Sequence, residues 1–133
     1  MSLWKWNDVE LEIDMEDVDF QKKYEDAFEK MAEEEKRVKA IGKLSEMRSA
    51  YCVMFFVLFD DIFGKGTSDK LFKGKKHTGL VDDCYNSFIK AANDAVKEIN
   101  KKRAARSAEL KKYTVTWKDG DKTIEVILNN SNK

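Results

Sequence analysis

Proline is absent from all 133 residues, so no ring removes a backbone donor from a helix interior, and long uninterrupted helices are expected. Histidine occurs once. His77 sits in a Lys-rich stretch with no acidic or thiol neighbour, which leaves the usual proton shuttle of neutral pH without a partner. It reads as an exposed loop residue. The two cysteines, Cys52 and Cys84, lie far apart inside apolar helical patterns. They read as buried free thiols suited to a reducing compartment, neither a disulfide framework nor half a metal site. Long apolar runs are missing too: the longest, residues 51–59, stops at Asp60 and Asp61, short of the roughly 20 residues needed to cross a bilayer. The first residues lack the basic-then-apolar pattern of a secretory leader, so the expected compartment is the cytoplasm.

Net charge is also lacking, since 25 Lys/Arg balance 25 Asp/Glu. A neutral chain without aromatic residues among its basic positions argues against nucleic acid, whose binding needs a sustained positive surface. The balance conceals segregation. Residues 1–35 hold thirteen Asp/Glu against four Lys/Arg, whereas residues 97–112 hold seven Lys/Arg against two Glu. Two such regions can attract each other within a chain or between copies, or form two ordinary solvated faces. With 42% apolar and 38% charged residues, the composition is that of a folded protein, and the length suits one domain spanning residues 1–133.

Along the chain, Trp4, Trp6, Val9, Leu11 and Ile13 alternate with Lys5, Glu10 and Glu12 about Asn7-Asp8, which predicts a hairpin at residues 1–14 with Trp6 facing Val9, Trp4 facing Leu11 and Lys5 facing Glu10. Asp17 or Asp19 can cap a first helix carrying Phe20, Tyr24, Phe28, Met31 and Val38, ending near Ile41 and Gly42. Glu25, Glu29 and Glu33 recur four apart, a like-charge spacing that opposes an isolated helix, so packing must hold it. Ser45 can cap a second helix that is apolar on every side through residues 51–59. Several elements must cover it, or one side is lent to another subunit.

Gly64 and Gly66 can end that helix, Thr67 or Ser68 can start a short one closed by Gly74, and Thr78 can cap a last helix through Leu80, Val81, Cys84, Phe88, Ile89, Ala92, Ala95, Val96 and Ile99, extending toward Leu110. Asp119-Gly120 is the strongest short turn signal, predicting a second hairpin at residues 113–128 with Tyr113, Val115 and Trp117 on the same face as Ile124, Val126 and Leu128. The expected fold is α+β and mainly α. Two long helices and a central apolar one occupy residues 17–112, with the hairpins joined in one small antiparallel sheet on the helices, or one of them packed on a neighbouring molecule.

Chemistry is sparse. Asp60-Asp61 and Asp82-Asp83 could share a divalent cation only if their helices lay side by side. Gly64-Lys65-Gly66-Thr67 lacks the spacing, the Lys position and the preceding strand of a phosphate loop, and Asp119-Gly120-Asp121 lacks the remaining ligands of a calcium loop. No cofactor, metal site or catalytic constellation is expected. Asp60 and Asp61 close the second helix where its macrodipole disfavours negative charge, so something must offset them. Lys65, Lys70 or Lys75 across the glycine turn could do so, or the corner is a docking edge.

Val9-Glu10-Leu11-Glu12-Ile13, Lys23-Tyr24-Glu25-Asp26-Ala27-Phe28-Glu29-Lys30, the block from Phe59-Asp60-Asp61-Ile62-Phe63-Gly64-Lys65-Gly66-Thr67 to Leu71-Phe72, and Cys84-Tyr85-Asn86-Ser87-Phe88-Ile89 together resemble a family of small phage and prophage proteins from Firmicutes, similar to tail assembly chaperones. The resemblance covers roughly residues 3–110, and beyond Tyr113 the Trp117 hairpin departs from the short basic tail of the pattern. It implies a non-enzymatic protein of tail morphogenesis that coats the tape-measure protein and recruits tail-tube subunits. The surface expected to meet the partner is Phe55, Phe56, Phe59 and Phe63 with Asp60 and Asp61. The rival expectations are a virion structural subunit of the tail or connector, forming an oligomer through its hairpins, and an enzyme or metal protein built on the acidic pairs.

Overall fold

The first apolar alternation becomes two strands, β1 (Ser2–Trp6) and β2 (Val9–Ile13), in a computed structural model that describes residues 2–110, 116–119 and 122–125. They pair antiparallel with Trp6 opposite Val9, Lys5 opposite Glu10 and Trp4 opposite Leu11, the register that the alternation predicts. Asn7 has φ 54, a left-handed conformation that Asn tolerates and that a two-residue hairpin turn requires.

Four helices follow. α1 (Val18–Lys39) is capped by Asp17, whose carboxylate accepts the Asp19 N–H at 2.9 Å. α2 (Leu44–Phe63) has Lys43 at its N-cap with no side-chain bond, so Ser45 lies inside the first turn and does not cap it. α3 (Thr67–Phe72) is a short connector and α4 (Thr78–Leu110) is the longest element. Thr78 is already helical. The cap of α4 is His77, which accepts the Leu80 N–H at Nδ1 (3.1 Å) and the Val81 N–H at its carbonyl (3.0 Å).

The chain divides into two compact units, Met1–Ala95 and Val96–Lys133. In the first, α1 and α2 form a helical hairpin in which Phe20 meets Phe63 at 5.9 Å between ring centroids. Phe59, Val81, Cys84 and Phe88 have no exposed surface and mark the centre of the core. Trp4 reaches this centre from β1. Its ring lies 5.5 Å from Phe59 and 5.1 Å from Phe88, and its Nε1–H donates to Ser87 Oγ at 3.0 Å. The apolar face of the hairpin is thus satisfied within the chain.

In the second unit, residues 96–106 of α4 are exposed apart from half-buried Ile99, which matches the thinning of the apolar stripe. β3 (Thr116–Asp119) and β4 (Lys122–Glu125) pair antiparallel, Trp117 opposite Ile124 and Asp119 opposite Lys122. Asp119 therefore belongs to the strand, which runs one position into the Asp119-Gly120 turn assignment. Tyr113, Val115, Gly120, Val126 and Leu128 lie outside the described residues. The strands make two separate two-stranded sheets among the described residues, not one joint sheet. Packing of Trp4 and Ile13 into the helical core already covers the first hairpin without added strands.

Candidate protein-docking site

The corner at the end of α2 is built into the fold. Phe55 (5% exposed) and Phe59 (0%) belong to the core, while Phe56 and Phe63 are half-buried, stacked on Phe72 at 5.0 Å and lying 5.6 Å from Phe88 respectively. Asp60 accepts the Ser68 N–H at 2.7 Å through Oδ1 and the Ser68 hydroxyl at 3.0 Å through Oδ2. Its charge is offset by the first turn of α3, not by a lysine of the glycine turn. Asp61 pairs with Lys30 of α1 at 3.3 Å. Gly64 and Gly66, at φ 115 and 94, let the chain reverse tightly enough to bring Ser68 back to Asp60. The expected docking residues thus separate: two aromatics and Asp60 hold the fold together, and only Asp61 is exposed.

Open apolar surface lies instead on the opposite side of α2. Ala50, Val53 and Val57, spaced three and four apart, line a groove of about 320 Å³ with Met31, Val38 and Ile41 from α1 and its following turn. Val53 is 39% exposed, and Met31, Ile41, Ala50 and Val57 are half-buried. Lys30, Glu34 and Arg37 form the charged edge, with Glu34 and Arg37 paired to each other. These residues stand out less in the sequence because the larger aromatic side chains dominate the apolar pattern of α2. The signal was there in Ala50, Val53 and Val57, a second apolar stripe on a helix whose first stripe holds the larger rings.

Burial governs the ionisation of Tyr51, Cys52 and Cys84. Tyr51 donates its hydroxyl to Asp82 at 2.5 Å, and burial followed by this bond pushes its ionisation far upward. Burial raises the Cys52 thiol, reinforced by the Asp82 charge, and pushes Cys84 up to about 12, so both sulfurs stay protonated near neutral pH. Both thiols are free and buried. Asp60, Asp61 and Asp82 each have a different partner, and no group of three or more His, Cys, Asp or Glu able to hold a metal ion occurs among the described residues. No helix among them is long and apolar enough to cross a membrane.

Fold and site together define a mainly helical α+β protein with an open groove between two helices of its hairpin. The chain belongs to a family of unknown function, DUF6673, whose model matches residues 7–124. No curated protein and no solved structure matches it.

Proposed function

We propose that this protein is a non-enzymatic, cytoplasmic assembly factor for a phage or prophage tail, which holds an amphipathic helical segment of a tail partner such as the tape-measure protein in the α1–α2 groove. The observation that carries the reading is the groove: an aliphatic trough with a charged edge is the receiving half of helix-in-groove recognition, where apolar residues at helical spacing dock as a row. The hydrogen bonds of His77, Asp60 and Asp82 and the burial of both free thiols agree with a role that uses no catalytic group and no cofactor. The aromatic corner of α2 contributes by setting the backbone that carries Val53 and Val57. Recruitment of tail-tube subunits is the second step of the same role.

The test is co-expression with a phage tape-measure protein, followed by co-purification. Val53→Asp with Val57→Asp places charges in the groove and is expected to abolish capture while leaving the thermal midpoint within a few degrees, since both positions retain access to water. Capture that survives this double change with a folded protein would show that the groove is not the docking site.

A further inference from the structure

The segregated charge of the chain ends on two surfaces of opposite sign. The first is on α1, where Tyr24, Glu25, Phe28, Glu29 and Ala32 line an open concavity on the side of the helix away from the α1–α2 groove. Tyr24 and Phe28 are half-buried rings 4.7 Å apart, and the exposed Glu25 and Glu29 have no ion pair among the described residues. They differ in this from Glu33, Glu34 and Glu35, which pair with Lys36, Arg37 and Lys39. The second surface is on the distal half of α4. Val96, Ile99, Lys102 and Arg103 recur there at spacings of three and four, so a small apolar pair is flanked by two cations on one side of the helix. Val96 is 42% exposed, Lys102 and Arg103 are exposed, and neither cation is paired among the described residues.

We propose that the distal half of α4 of one copy docks on the outer face of α1 of a second copy, with Val96 and Ile99 against Tyr24 and Phe28, and Lys102 and Arg103 meeting Glu25 and Glu29. Charge complementarity selects the occupant. The acidic concavity suits a cationic helix with an apolar pair beside its charges, and this chain carries one on which Val96, Lys102 and Arg103 are exposed and Ile99 is half-buried. Each exposed ion pair contributes little, but two pairs flanking an apolar contact fix the register and speed encounter. The contact does not involve the α1–α2 groove, so it stands independently of the tail-partner reading.

Sedimentation velocity of the full chain tests this at about 0.1 M and about 1 M salt, where the screening length falls from roughly 10 Å to roughly 3 Å. The wild type is expected to associate at the lower salt and dissociate at the higher. Lys102→Glu with Arg103→Glu, and separately Glu25→Lys with Glu29→Lys, are each expected to weaken association at least about tenfold, because like charges then face each other. Mixing these two variants restores association, since each then offers the other an opposite-charged surface. Far-UV circular dichroism confirms that both are folded, and Lys102→Ala with Arg103→Ala serves as a milder substitute where either is not. A wild type that is monomeric at both salt concentrations overturns the proposal. So does an oligomer indifferent to the reversals, or a monomer whose basic helix instead retains duplex DNA or anionic lipid vesicles.

Discussion

Trp4 ties the two ends of the first unit together, because a residue near the N-terminus donates a hydrogen bond to Ser87 and packs its ring between Phe59 and Phe88. Trp4→Ala is expected to cost about 3–5 kcal/mol, the range for removing a large core aromatic. Ser87→Ala leaves the ring in place but strands a donor in a residue that is 2% exposed, and is expected to cost about 1–3 kcal/mol. Urea denaturation monitored by circular dichroism measures both, and equal costs would show that the bond rather than the ring dominates. Cys84 gives a signature in pH. Its folded ionisation is raised from the ordinary 9.0 to about 12 by burial. Stability is therefore fully present below about pH 9 and lost as pH rises toward 12, because the unfolded chain releases the thiol proton first. Cys84→Ala is expected to flatten the stability curve over that window by up to about 1.4 kcal/mol per pH unit, read from urea midpoints at successive pH values. An unchanged slope would exclude the thiol as its source.

Element ends carry the next set of consequences. The two carboxylates that close α2 look alike in sequence yet do different things, since Asp60 caps α3 through two bonds and Asp61 makes one exposed pair with Lys30. Asp60→Ala is expected to cost about 1–2 kcal/mol, the cost of a lost helix cap, and Asp61→Ala under about 1 kcal/mol. Thermal melts of the two variants decide the order, and a larger loss for Asp61 would contradict the capping assignment. His77 caps α4 through Nδ1, which requires the imidazole lone pair at that nitrogen. His77→Ala is expected to destabilise by about 1 kcal/mol and His77→Asn, a better capping residue, by less. Faster amide exchange at Leu80 in the alanine variant is the direct reading. At this scale much was legible in advance: the hairpin register, the Asp17 cap and the α3 start follow from alternation and turn chemistry among near neighbours. The caps of α2 and α4 were not, because Ser45 and Thr78 fall at the second and first positions inside their helices, and the preceding Lys43 and His77 take the cap positions.

For the whole molecule, the decisive feature is how the core is distributed. Every buried apolar side chain among the described residues lies at or before Ala95. A chain stopped after Ile99 is therefore expected to keep a single cooperative thermal transition by circular dichroism, while losing the cationic distal half of α4. Loss of the transition would mean that the second unit supplies core stability. The same distribution bears on function. A helix apolar all round has one face largely enclosed and one left open, and the proposed docking of a tail partner uses the open one.

Periodicity, capping and charge pattern are properties of residues within a turn or two of each other, so the order of elements, the mainly helical class and the segregation of acid from base could be read directly from the chain. Which face of α2 would be enclosed could not. Phe55, Phe59 and Ile62 are buried because Trp4, Phe72, Phe88 and their neighbours, drawn from distant parts of the chain, fill the space around them. The larger rings win that competition since they remove more apolar surface from water. Val53 and Val57, equally apolar in a local window, are left at the groove because α1 reaches only part of that side.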